Sequence, residues 1–116
     1  MKTEAVMKDG VAVFEISGRM DLASGAKLKE SIKEFTTKDC VSIHLNLQSV
    51  EFINSSGLGA LVSMMKEIRL LKGRLTLSNL AGYVQEIFEI TQLSHIFEIF
   101  DTEEEALASY HPVATE

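Results

Sequence analysis

The most regular alternation of apolar and polar residues lies between positions 41 and 47. Successive side chains of a β-strand point to opposite faces, so this run predicts a strand with one apolar and one polar face. His44 falls on the polar face, and no second His, Cys or carboxylate cluster stands at metal-ligand spacing from it, so no metal site is expected. The alternating residues are Val41, Ile43, Leu45 and Leu47 against Ser42, His44 and Asn46.

Two earlier apolar-rich runs, 4–8 and 11–17, are joined by Asp9-Gly10. This dipeptide between such runs is a strong hairpin signal, because both turn positions require a positive φ. Gly18 is expected to break the second strand.

The segment after Gly18 is predicted to be a helix, for which Asp21 and Ser24 are both plausible N-caps. Its apolar residues recur at helical spacing, and its charged residues lie between them. The apolar positions are Leu28, Ile32 and Phe35.

A second helix is predicted to begin after Ser55 and to end at Lys72-Gly73, a cation followed by glycine. Met64 lies off its apolar stripe and is expected at the surface. The stripe, which we interpret as core, consists of Leu58, Leu61, Val62, Met65 and Ile68.

The remaining third of the chain predicts two strands and two helices. A capping box of Thr102 and Glu105 begins the last helix, which runs to about Ser109, and a frayed tail is expected over 110–116, from Pro112 onwards in particular. The other elements are a strand over 74–79, a helix over 83–91 and a strand over 96–100.

This order, β-β-α-β-α-β-α-β-α, predicts one α/β domain over residues 1–116 with a largely parallel inner sheet. The period-two pattern indicates that helices cover the sheet mainly on one face, because strands covered on both faces read as continuous apolar runs.

Composition narrows the function classes. The chain has 116 residues and a formal net charge of −6, without a basic stripe, so neither nucleic acid nor a membrane is expected as a partner. Cys40 is the only cysteine, which excludes an internal disulfide. The N-terminal residues lack the apolar core of a signal peptide, and a cytoplasmic location is therefore predicted.

Catalytic motifs are missing from the sequence. Gly-x-Ser-x-Gly and the P-loop pattern are absent, and Val62 stands where a dinucleotide fingerprint requires its third glycine. None of the three histidines has the sequence context of a catalytic triad. We therefore expect no catalytic residues and no cofactor.

The polar turn Asn54-Ser55-Ser56-Gly57 at the start of the second helix is the remaining candidate site. The first turn of a helix has unpaired N–H groups and the positive end of the macrodipole, which can receive a phosphate. The same residues are also common in ordinary helix capping. The four residues alone leave both interpretations open.

The longer stretch 45–59 resembles the signature of the STAS domain family, and within it that of bacterial anti-sigma factor antagonists. Gly18-Arg19-Met20-Asp21 resembles the family's Gly-x-[Leu/Ile]-Asp corner. Residues 91–97 resemble its [Ser/Thr]-x-[Leu/Met]-x-x-[Ile/Leu]-Phe ending. The resemblance implies a mixed sheet of four to five strands, with about four helices packed mainly on one face.

The resemblance also implies a partner-switching function. An anti-sigma factor that is also a serine kinase would phosphorylate Ser55, with Ser56 secondary, and a PP2C-type phosphatase would reverse the modification. The unphosphorylated form would bind the anti-sigma factor. The family's usual Asp before the serine is Asn54 here, which removes one negative charge, although a kinase supplies its own base and Mg²⁺.

The predicted partner-binding surface surrounds this turn. A phosphate in it would place an unpaired charge in the interface and weaken binding. Two alternatives are a STAS scaffold subunit in which Ser55 only caps its helix, and weak nucleotide binding at the Asp21–Ser55 corner. The predicted surface residues are Asp21, Ser24, Asn54, Ser55, Ser56, Gly57, Leu58 and Met64.

Overall fold

The computed structural model describes residues 2–111, which form a five-stranded sheet and four α-helices. The strands are β1 (Lys2–Lys8), β2 (Val11–Met20), β3 (Ser42–Ile53), β4 (Arg74–Ser78) and β5 (Glu98–Phe100). The helices are α1 (Leu22–Thr36), α2 (Ser55–Leu70), α3 (Gly82–Ile90) and α4 (Glu103–Tyr110), with a short 3₁₀ turn at Leu93–His95.

The strands lie side by side in chain order, β1-β2-β3-β4-β5. β1 and β2 are antiparallel, and every other neighbouring pair is parallel. The predicted fold, an α/β domain with a mixed sheet, is thereby confirmed.

Local turn chemistry explains the hairpin. Asp9 and Gly10 have φ values of 50° and 84°, and Lys8 pairs with Val11 across them. The predicted strand break at Gly18 is wrong, because β2 continues to Met20. Gly18, at φ 96°, lies instead in a bulge where the pairing with β3 shifts.

The main core fills one face of the sheet, under α1, α2 and α3. Its strand positions alternate, as Ile43, Leu45 and Leu47 show, and all three are fully buried. α1 and α2 approach each other closely at Gly25, where a Cβ would lie 2.6 Å from the Cβ of Ala60. The two helices therefore bury parts of their sides against each other as well as against the sheet.

The opposite face is covered in part by α4, which buries Ala106 against it. The predicted polar face of β3 is therefore covered in part: Ser42 and Asn46 are half-buried, and His44 is fully buried. Its ring nitrogens lie 2.7 Å from the Thr76 and Ser78 hydroxyl oxygens. Burial lowers the pKa of His44 to about 4, so the ring is neutral at pH 7.

The hydrogen bonds around His44 have a defined direction. The Tyr110 hydroxyl donates to the Ile43 carbonyl at 2.6 Å, which leaves it to accept from the Thr76 hydroxyl at 2.9 Å. Thr76 then accepts from Nδ1–H of His44, and Nε2 of His44 accepts from Ser78. The neutral imidazole is thus satisfied at both nitrogens.

The C-terminal prediction needs one correction. Tyr110 is the last residue of α4 and is held by hydrogen bonds, so it is not part of a frayed tail. His111 is also held, by a hydrogen bond between its ring and the Asp9 carbonyl, and the rest of the predicted tail, residues 112–116, lies outside the described residues. None of the helices formed by residues 2–111 is long and apolar enough to cross a membrane.

Candidate functional site

The candidate site lies where β2 and β3 end and α1 and α2 begin. Asn54 N–H donates to the Met20 carbonyl at 3.2 Å, which ties the start of α2 to the end of β2. A Cβ on Gly57 would lie 2.4 Å from that same carbonyl oxygen, so only glycine permits this approach. The two helix N-termini are held at one corner of the sheet.

Asn54 is the N-cap of α2. Its backbone is extended, at φ −107°, and its side-chain oxygen accepts from the N–H of Gly57 at 2.9 Å. The carboxylate of an Asp would accept the same bond, so the amide keeps the cap without the negative charge. Ser55 and Ser56 are therefore the first two helical residues and not the cap.

The hydroxyls of Ser55 and Ser56 are exposed at this N-terminus. Among residues 2–111, no hydrogen bond engages either side chain with another protein group. The chain also places no acidic residue in the first turn of α2. The positive end of the helix is thus left for an added anion.

Asp21 caps α1 beside this turn. Its carboxylate accepts from the Ser24 backbone N–H at 3.0 Å and from the Ser24 hydroxyl, and these bonds lower the pKa of Asp21. The Asp21 backbone N–H donates in return to the Ser24 hydroxyl oxygen at 2.8 Å, which completes a capping box. Asp21 is the N-cap, and Ser24 is the third residue of the helix.

The predicted partner-binding residues around this corner fall into three groups by burial. Ser55 and Ser56 are exposed, whereas Asp21, Asn54 and Leu58 are half-buried. Ser24 and Gly57 are buried within the corner. They can therefore affect a partner-binding surface only by positioning the residues above them.

The prediction that Met64 lies off the core is wrong, because its exposed fraction is only 1%. Met64 faces the groove between α2 and α1, where it lies near Ile32. The stripe predicted for α2 covered the side that packs on the sheet and omitted the side that packs on α1. Met64 is therefore a core residue.

Arg19 and Phe52 are neighbours of the corner that received no role from the sequence. They are paired across β2 and β3, and the Arg19 guanidinium carbon lies 4.0 Å from the centroid of the Phe52 ring. Arg19 is exposed. It immediately precedes Met20, whose carbonyl accepts the hydrogen bond from the N–H of Asn54, the N-cap of α2. Had β2 been predicted to continue past Gly18, Arg19 would have been placed on a strand beside Phe52 of β3.

No group of three or more His, Cys, Asp or Glu side chains within 2–111 is arranged to hold a metal ion. The corner itself offers hydroxyls, backbone N–H groups and one ionised carboxylate. These groups suit the reception of a phosphoryl group and contact with a protein surface.

A model of the STAS domain family matches residues 2–106. An anti-sigma-B factor antagonist of Listeria monocytogenes is 32% identical over 97 residues, or 84% of each chain. The crystal structure of a candidate anti-sigma factor antagonist of Thermotoga maritima has a TM-score of 0.86 at 27% identity and covers 92% of both chains.

Two structures of SpoIIAA have the same fold. The anti-sigma factor antagonist SpoIIAA in its unphosphorylated form matches with a TM-score of 0.82 at 23% identity, over 98% of this chain and all of that one. The phosphorylated form of the Bacillus protein matches with a TM-score of 0.74 at 24% identity, over 95% of this chain and all of that one.

Proposed function

The chain belongs to the STAS domain family, and from that premise we propose that it is an anti-sigma factor antagonist that works by partner switching. Its unphosphorylated form binds an anti-sigma factor that is also a serine kinase. Phosphorylation of Ser55 by that kinase releases it, and a PP2C-type phosphatase restores the binding form. Support comes from relatives named as antagonists and from a relative solved in both phosphorylation states.

The proposal rests on one observation: Asn54, and not Ser55, caps α2. Because Asn54 supplies the capping oxygen, the Ser55 hydroxyl is not needed to begin α2. It is exposed and presented on a rigid helix start, where another protein's active site can reach it. Phosphorylation there would change the surface while leaving the fold intact.

The folded protein is suited to carry the phosphate. A phosphoserine adds about −1.5 to −2 charge at neutral pH, and an anion in the first helical turn is favoured by about 0.3–1 kcal/mol. The first turn of α2 contains no acidic residue that would repel it. The modification therefore acts on binding and not on folding.

The added charge weakens binding to the anti-sigma factor. A charge buried there without a cationic partner costs about 2–5 kcal/mol, or roughly 30- to several-thousand-fold in affinity. Exposed Ser56 and half-buried Leu58 and Asp21 lie around Ser55 and form the surface that the partner covers. Ser24 and Gly57 hold that surface in shape from below.

On this proposal the protein acts in the cytoplasm by binding, and catalysis belongs to its kinase and phosphatase partners. Asn54 in place of the family's Asp leaves the site less negative by one charge. Since the amide preserves the helix cap, the position of the Ser55 hydroxyl is unaffected by this difference.

The test uses the cognate anti-sigma factor kinase with ATP, followed by mass spectrometry and calorimetric binding. Phosphate should appear on wild type and on Ser56→Ala, which is the matched control, and should be absent from Ser55→Ala. Ser55→Ala should bind the kinase as tightly as unphosphorylated wild type, and Ser55→Asp should bind at least about tenfold more weakly. Stable binding without phosphate on Ser55 would instead indicate a non-switching scaffold subunit.

A further inference from the structure

Among residues 2–111, β1 forms one edge of the sheet and has no strand on its far side. The strand is seven residues long and contains no proline, and the side chains of Val6 and Met7 are 50% and 48% exposed. Proteins that remain monomeric protect such edges with short strands, prolines or a central lysine. Here the lysines stand only at the two ends, Lys2 and Lys8.

The hairpin determines which backbone groups of β1 face outwards. Lys8 and Val11 flank the two-residue turn and exchange hydrogen bonds, and hydrogen-bonded pairs alternate along an antiparallel ladder. The even-numbered residues of β1 therefore bond to β2. The N–H and C=O groups of Thr3, Ala5 and Met7 point away from the sheet.

The charges on β1 select one antiparallel register with a second copy. Placing Val6 opposite Val6 sets Glu4 opposite Lys8 at both ends, and it pairs the outward groups of Ala5 with those of Met7. Placing Ala5 opposite Ala5 would set Lys2 against Lys8, and placing Glu4 opposite Glu4 would oppose two carboxylates. Like charges directly opposite one another destabilise a strand pair.

We propose that β1 pairs with β1 of a second copy of this chain, antiparallel, with Val6 on the two-fold axis and Glu4 facing Lys8 of the other copy. Lys8 already lies 2.8 Å from Glu103 and its side chain stays 46% exposed, so a second carboxylate can approach it. The contact is two-fold and self-complementary.

Assembly stops at the dimer. The two-fold contact uses the β1 edge of both copies, and the other edge of the sheet, β5, is only three residues long. The result is a continuous ten-stranded sheet. β1 pairs with β2 only up to Ser17, whereas the Ser55 corner lies against Met20, so the dimer leaves that corner accessible. Dimerisation and partner switching are independent.

The test is sedimentation velocity on the full chain from micromolar to near-millimolar concentration, with amide hydrogen exchange. We expect a species of twice 12.8 kDa to accumulate with concentration, together with slowed exchange at Ala5 and Met7. Ala5→Pro removes an outward donor that β2 does not use, so it should weaken dimerisation at least about tenfold while the hairpin stays formed.

Thr3→Pro is the matched control, because Thr3 lies beyond the last paired residue of the proposed register and the dimer should survive. If Ala5→Pro fails to fold, Val6→Lys is the deciding variant. It places two cations on the two-fold axis and should abolish the dimer. A wild type that is monomeric throughout overturns the proposal. So does a dimer that survives Ala5→Pro or Val6→Lys, or one that Thr3→Pro destroys.

Discussion

The side-chain oxygen of Asn54 accepts from the N–H of Gly57 at 2.9 Å, and this bond determines what Ser55 is free to do. A serine that caps its own helix has its hydroxyl committed to a backbone N–H. In this chain the preceding residue takes that task, and Ser55 carries an uncommitted hydroxyl. Capping and phosphate acceptance are divided between neighbouring residues.

Removal of the Asn54 side chain should destabilise α2 without touching Ser55. Asn54→Ala is expected to lower the free energy of unfolding by about 1 kcal/mol, because an orphan N–H loses its acceptor. Asn54→Asp keeps the acceptor and adds a charge at the positive end of the helix, and should raise stability by about 0.3–1 kcal/mol. Urea denaturation measures both, and equal stabilities of the two variants would contradict the capping role.

Gly57 and Gly59 should respond to alanine in opposite directions. A Cβ at Gly57 would lie 2.4 Å from the Met20 carbonyl oxygen, so Gly57→Ala should destabilise by about 1–3 kcal/mol. Within residues 2–111, a Cβ at Gly59 would meet nothing within 4 Å, and Gly59→Ala should stabilise by about 0.5–1 kcal/mol. Thermal unfolding of the pair tests the close packing of α2 on the end of β2.

His44 should make stability fall as the solution is acidified. Burial holds its pKa near 4 in the folded protein against about 6.5 in the unfolded chain, so the unfolded state binds the extra proton between these values. Stability is therefore complete above about pH 6.5 and is lost towards pH 4, by up to about 3 kcal/mol.

The measurement compares the free energy of unfolding at pH 7.5 and pH 5.5, above the range in which ordinary carboxylates titrate. His44→Gln removes the titrating group and should flatten the profile, although it lowers stability at both pH values. Glu103 favours and Lys8 opposes protonation of the ring, and both charges are present in the variant. An unchanged pH dependence in the variant would refute the assignment to His44.

Met64→Ala should act on stability and not on partner recognition. The side chain is 1% exposed, and truncation of a buried methionine costs about 2–5 kcal/mol. Binding of the anti-sigma factor, measured well below the melting temperature, should be unchanged. Lys66→Ala, at an exposed position of the same helix, is the control and should change stability by less than about 0.5 kcal/mol.

Features determined by neighbouring residues were predictable from the sequence. Asp9-Gly10 specifies its turn through the φ values that it tolerates. Of the predicted capping box, the Thr102 hydroxyl accepts from the Glu105 N–H, whereas the Glu105 carboxylate accepts from the Thr102 hydroxyl and not from the Thr102 backbone N–H. The α/β order follows from the periodicity of each segment.

Features determined by distant packing were not predictable in this way. The burial of Met64 depends on α1 lying against α2, and that of His44 depends on α4, whose sequence lies about 60 residues further on. The hydrogen-bond partners of His44 come from Thr76 and Ser78 on another strand, and nothing near His44 in the sequence indicates them. At the site, Ser55 and its neighbours were predictable from the sequence, but which of them is the N-cap of α2 was not.

The strand order has a consequence for how the protein is made. Each strand pairs with the strand that precedes it in the chain, so the sheet can grow in the order of synthesis. By the time Leu70 has left the ribosome, the four elements that build the Ser55 corner, β2, β3, α1 and α2, are all available. Nascent chains are therefore expected to form this corner before β4 and β5 complete the sheet.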